Sequence, residues 1–118
     1  MRQAPSIDAY GGGGFRVSGA WRVGSLLILD DEPRSWAVTS MDELTPAAFN
    51  EVFAAGLGVV EFVLLGTGAR QTLPPRAIRE ALSEARIGLE FMSTEAAART
   101  YNVLASEGRR IAAALIAV

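Results

Sequence analysis

The residues whose types and spacing point to chemistry lie in two short stretches. One is Gly66-Thr67-Gly68-Ala69-Arg70, a glycine bend after the apolar run Val59–Leu65, and the other is Ser93-Thr94, at the start of an amphipathic segment. Glycines after a strand let a ligand approach the backbone closely. Threonine hydroxyls, an arginine and the free N–H groups of helix starts together favour an anion. A dinucleotide loop would read G-x-G-x-x-G, yet the third position here is Gln71, and Pro74-Pro75 postpone the next helix. A Walker A loop needs a lysine, and the chain has none. The bend is therefore not a known phosphate motif. Its plainer reading is a turn in which glycine supplies positive φ and Thr94 caps a helix.

The missing residue types narrow the chemistry further. The chain has no cysteine and no histidine, and all 11 basic residues are arginine. Disulfides, thiolate nucleophiles, histidine-based triads, Schiff bases and the usual transition-metal sites are excluded by composition. Carboxylates, hydroxyls, tyrosine and arginine remain. A hydrolase or transferase using Glu90, Glu107 or a hydroxyl ranks last, and the composition leans away from an enzyme. No cofactor and no metal are expected. A net charge of -2 and a pI near 5.1 argue against nucleic acid as a partner.

These residues must be held by a fold. In 118 residues, 50% hydrophobic and 20% charged, the expectation is one α/β domain over 1–118. The first forty residues read as short strands at Ile7–Tyr10, Phe15–Val17, Ala20–Val23, Ser25–Leu29 and Trp36–Thr39. Between them come turns at Gly11–Gly14, Ser18-Gly19 and Asp30–Ser35. Thr45 and Pro46 then open a helix that Gly56 closes, with Leu44 and Phe49 placed as a hydrophobic staple.

The second half alternates: a strand at Val59–Leu65, a helix from Pro75 to before Gly88, and a strand at Leu89–Met92. A helix from Ser93 or Thr94 to Glu107 and a strand at Ile111–Ala117 complete it. Crossovers of this length imply parallel strands. The fold class is α/β: a three-layer mixed sheet with a β-α-β-α-β C-terminal half and a β-rich N-terminal extension. If the strands ending at Leu65 and Met92 share a sheet, the glycine bend and Thr94 face one rim, where α/β proteins place ligands. No stretch approaches the ~20 apolar residues of a membrane span, and the start lacks a signal-peptide core. The expectation is a cytoplasmic protein that does not span a membrane.

The segments Phe91–Val118 and Leu64–Gly68 carry a further resemblance. Its marks are Gly66-Thr67-Gly68, Met92 followed by Thr94, Arg99-Thr100-Tyr101-Asn102, and Glu107-Gly108-Arg109-Arg110. In combination they resemble a family of small α/β proteins that includes the mitochondrial assembly factor 3 of respiratory complex I. The resemblance runs from about Ile7 onward. Ser93 departs from it, since the family more often carries an aspartate there.

The resemblance implies a three-layer mixed sheet and a non-catalytic accessory protein acting through protein partners, with complex I subunits as candidates. The alternative is a binder of a small anionic ligand through Gly66, Thr67, Gly68, Arg70 and Thr94. For partner binding the candidates are Arg99, Asn102, Arg109 and Arg110. Plainer roles stand beside them: an exposed pair of Arg99 with Glu95, and compensation of a helix end by Arg109 and Arg110. Tyr101, on the face of Ala97 and Leu104, reads as core. Tyr10, Phe15, Trp21 and Trp36 are candidates for an interface as well as for the core. A homo-oligomer is left open.

Overall fold

The computed structural model describes residues 3–118. Among the described residues eight strands form two sheets. Strands β1 (Ile7–Gly11), β2 (Gly14–Val17) and β3 (Ala20–Val23) make an antiparallel meander in the order β1-β2-β3. The larger sheet contains β4 (Ser25–Leu29), β5 (Glu32–Trp36), β6 (Phe62–Gly66), β7 (Gly88–Met92) and β8 (Ile111–Leu115), in the order β5-β4-β8-β6-β7. Strand β6 lies parallel to both β7 and β8, whereas β4 is antiparallel to β5 and β8. The sheet is therefore mixed, as its class required.

Helices cover both faces. Two 3₁₀ turns, Met41–Glu43 and Pro46–Phe49, lead into α1 (Asn50–Ala55); α2 (Arg76–Glu84) and α3 (Thr94–Ser106) are the crossovers. On one face Leu27, Leu29, Val63 and Leu65 pack with Phe49, Val52, Ile78 and Leu82. On the other, Leu26, Ile28, Leu64 and Leu115 meet Ala97, Ala98 and Tyr101 of α3 together with Ile7, Phe15 and Val17 of the meander. Alternate residues of each central strand feed opposite cores, as a strand covered on both sides must. Each fully buried large side chain contributes roughly 1.5–3 kcal/mol. The alanines Ala112, Ala113 and Ala114 of β8 are fully buried, and their small size brings helix and sheet close.

Several boundaries differ from the sequence reading. Helix α2 spans Arg76–Glu84 and stops short of Gly88, and β8 ends at Leu115 instead of Ala117. Three further differences have a clear physical cause. Strand β5 runs from Glu32 to Trp36, not over Trp36–Thr39, and residues 37–39 lie outside any strand; the turn is only Asp30-Asp31, both at positive φ (52° and 62°). That is the backbone of a two-residue hairpin. Pro33 is tolerated because β5 is an edge strand, where a missing N–H breaks no internal ladder. The segment after Thr45 opens as a 3₁₀ turn and becomes α-helical only at Asn50. Strand β6 starts at Phe62; the preceding Val59 and Val60 instead donate their N–H groups to Gly56 O.

Candidate functional site

The glycine bend and the start of α3 meet at one rim. Gly66 pairs with Met92 across the parallel strands β6 and β7, so the chain leaves both strands side by side. Thr94 N donates to Gly68 O at 2.8 Å, and Gly68 N donates to Thr94 Oγ1 at 2.9 Å. Thr94 Oγ1 in turn donates to Ile116 O at 2.7 Å, and Ile116 N donates to Gly66 O at 3.0 Å. Three strand ends are thus tied together through one hydroxyl. Thr94 is fully buried and Thr67 nearly so.

Thr67, Thr72 and Ser93 have internal partners as well. Thr67 N donates to Met92 O at 2.9 Å, and Thr67 Oγ1 bonds Arg70 O while accepting Thr72 N at 3.1 Å. Ser93 caps α3, its Oγ accepting Ala96 N at 3.3 Å, the N-cap role that a serine side chain fills as well as an aspartate. Gly66 is required by close approach, since a Cβ there would lie 2.9 Å from Leu115 Cδ2 and 3.0 Å from Thr94 Cα. Arg70 projects beside the bend and is exposed. Gly66, Thr67, Gly68 and Thr94 therefore form a closed clasp, with Arg70 as its outward charge.

The residues expected to face a partner are dispersed. Arg99 pairs with Glu95 at 3.3 Å on the surface of α3; Glu95 also accepts Tyr10 Oη–H at 2.8 Å, which pushes the tyrosine hydroxyl above its ordinary pKa. Asn102 grips Ile7 of β1, accepting its N–H and donating to its C=O, both at 2.8 Å. Arg109 and Arg110 converge on Glu61 at 3.5 Å and 3.9 Å. Arg110 Nη1 also donates to Gly58 O at 2.6 Å, and the Arg109 guanidinium lies 5.4 Å from the Phe62 ring centroid. This cluster sits where β6 and β8 begin, roughly five residues or about 16 Å from the clasp at their other end.

Glu90 is exposed beside a shallow groove of about 360 Å³ between β7 and α3, whose floor includes Phe62, Leu64 and Leu104. Glu107 caps the far end of α3 and is exposed. Among the described residues no group of three or more acidic side chains is gathered as a metal site would require. Nor, among them, is any helix long and apolar enough to cross a membrane.

The four aromatic candidates divide. Phe15 and Trp36 are buried, Tyr10 is half-buried, and Trp21 is 52% exposed. Next to Trp21 on the same strand, Val23 is 80% exposed. Val23 and Arg22 were not singled out in the sequence, although a signal was present. A two-residue turn at Ser18-Gly19 sets Val17 opposite Ala20 and Phe15 opposite Arg22. With Phe15 and Val17 facing inward, Trp21 and Val23 must then face outward.

A mixed sheet with helices on both faces, an added meander and strand ends clasped through threonine define a class of small α/β proteins. The chain belongs to the family described as "Protein of unknown function (DUF498/DUF598)", whose pattern covers residues 7–116. It is 41% identical over 110 residues to an uncharacterized protein of Rhodobacter capsulatus, a match covering 93% of this chain and 82% of that one. It is 32% identical to the human NADH dehydrogenase (ubiquinone) 1 alpha subcomplex assembly factor 3 over 97% of its own length. That match spans 61% of the human factor. Among solved structures, one described as an outer membrane protein from Bartonella henselae superposes with a TM-score of 0.89 at 38% identity, covering 98% of this chain and 96% of the other. The family and fold suggested by the sequence marks are thereby established.

Proposed function

We propose that the protein is a non-catalytic accessory factor that works by binding another polypeptide, in the manner of the complex I assembly factors it resembles. The observation that carries this reading is the exposed pair Trp21 and Val23 on β3, an outer strand of the meander. Large apolar side chains side by side on a sheet edge favour a protein surface as their partner. The identity with assembly factor 3 across 97% of the chain supports the same role. Subunits of respiratory complex I are the first partners to test.

Affinity capture of the intact protein from cells containing complex I, with the Trp21→Ser/Val23→Thr variant in parallel, tests the role. The expected result is a defined partner set retained by the native protein and lost by the variant. Recovery of only abundant, unrelated proteins by both would overturn it.

A further inference from the structure

The hydrogen-bond phase of β3 can be worked out from its turn. Ser18 and Gly19 both have positive φ (46° and 86°), so Val17 and Ala20 form the first hydrogen-bonded pair of a two-residue hairpin. Bonded and non-bonded pairs alternate in an antiparallel ladder. Phe15 and Arg22 are then bonded, while Arg16/Trp21 and Gly14/Val23 are not. The phase is confirmed one step further on, where Gly24 N donates to Gly13 O at 2.7 Å. Trp21 and Val23 therefore turn their N–H and C=O groups away from β2. The residues with exposed apolar side chains also present their backbone to the outer edge.

The other strand edges differ. Asn102 occupies the backbone of Ile7 on β1. Strand β5 carries Pro33, which has no N–H, between Glu32 and Arg34. On β7, Leu89 and Phe91 pack against the α1/α2 core. Only β3 combines an outward-facing backbone with large exposed side chains among the described residues.

We propose that β3 accepts an extended segment of a protein partner as an antiparallel fourth strand, with a carboxylate side chain between two apolar ones. This deepens, and rests on, the accessory-factor reading. The added strand would exchange backbone hydrogen bonds with Trp21 and Val23, and its apolar residues would lie beside their side chains. The residue between them would stand opposite Arg22 in the non-bonded, closest-approach position, where side chains interact most strongly. Charge selects the partner. The meander from Ile7 to Val23 carries Arg16 and Arg22 against the single acid Asp8, in a chain of net charge -2. A second copy is disfavoured: full-overlap antiparallel pairing would set Arg22 against Arg22 at closest approach. Slipping by two residues keeps the bonding phase but shortens the ladder.

The test uses the isotopically labelled full chain and the peptide acetyl-Lys-Thr-Val-Glu-Val-Thr-Lys-amide, with a second peptide in which lysine replaces the glutamate. NMR titration of the first should shift the amides of Ala20 to Gly24 and slow hydrogen exchange at Trp21 and Val23. The lysine peptide should bind about tenfold more weakly, or about 1.4 kcal/mol, because the exchange removes an attractive cross-strand pair and puts a repulsive one in its place. Arg22→Glu should reverse that preference, and Trp21→Ser should weaken both peptides without loss of spectral dispersion. Shifts confined to another face would overturn the β3 site while leaving the accessory role to the capture experiment. Equal binding of both peptides by the native protein would overturn the charge rule. Concentration-dependent changes at β3 without peptide would assign the edge to a second copy instead.

Discussion

Asn102 and Ile7 lie 95 residues apart and form a two-way hydrogen-bonded pair: Asn102 Oδ1 accepts the Ile7 N–H and Nδ2 donates to the Ile7 C=O, each at 2.8 Å. The side chain imitates a neighbouring strand and closes the outer edge of β1 against α3. Replacing it with leucine would leave both backbone groups of a buried residue without that partner. The expected loss is about 1–3 kcal/mol, measured by urea unfolding, with faster hydrogen exchange at Ile7. Native exchange at Ile7 in Asn102→Leu would show that the edge is held by something else.

Thr94 holds the opposite rim through a single oxygen. Its Oγ1 accepts from Gly68 and donates to Ile116 O. Thr94→Val preserves shape and removes both bonds, so a loss of roughly 1–3 kcal/mol for each unpaired group is expected. Thr94→Ser keeps the oxygen and should lose much less. Equal midpoints for the valine and serine variants in urea would mean that the methyl, and not the hydroxyl, matters here.

The meeting of Gly68 and Thr94 was legible because two parallel strands end there, and strand parallelism follows from crossover length. What the hydroxyl does was not legible. Its partner, the Ile116 carbonyl, comes from β8, and only the spatial order β8-β6-β7 brings it within reach. The core was read well where periodicity was strong: Tyr101, on the inner stripe of α3, is 2% exposed. Strand β5 was misread at its start because Glu32, Pro33 and Arg34 resemble turn chemistry. At a sheet edge the same residues are compatible with a strand. The asymmetry between Trp21 and Trp36 required register: composition makes them equal, but pairing turns one outward and the other inward.

Gly66→Ala tests how tightly the rim is closed. The added methyl would stand 2.9 Å from Leu115 Cδ2 and 3.0 Å from Thr94 Cα. Leu115 is fully buried, so its side chain has little room to yield, and the Thr94 Cα belongs to the backbone. Overpacking of this kind costs about 1–3 kcal/mol. Urea unfolding should show a lower midpoint with unchanged slope; an unchanged midpoint would mean that β8 and α3 part easily.

Glu61 makes stability depend on pH at the other end of the sheet. The Arg110 N–H, donating at 3.3 Å, is the largest influence holding its carboxyl below the ordinary range; desolvation opposes this, and the Arg109 guanidinium adds to the lowering. A depressed folded-state pKa means that the unfolded chain takes up the proton more readily. The resulting stability is therefore complete above the ordinary carboxylate range and is lost as pH falls through the lower, folded-state value. Asp8 and Glu43 are lowered as well, by bonds from Ser6 and Thr39 respectively, so the native protein should lose stability progressively in acid. Glu61→Gln removes one contributor and leaves the other two. Urea unfolding across a pH series should show the native and variant curves converging as acid protonates Glu61, with the native protein more stable at neutral pH. A constant gap between the curves at every pH would show that Glu61 acts there by shape and hydrogen bonding alone, and not by charge.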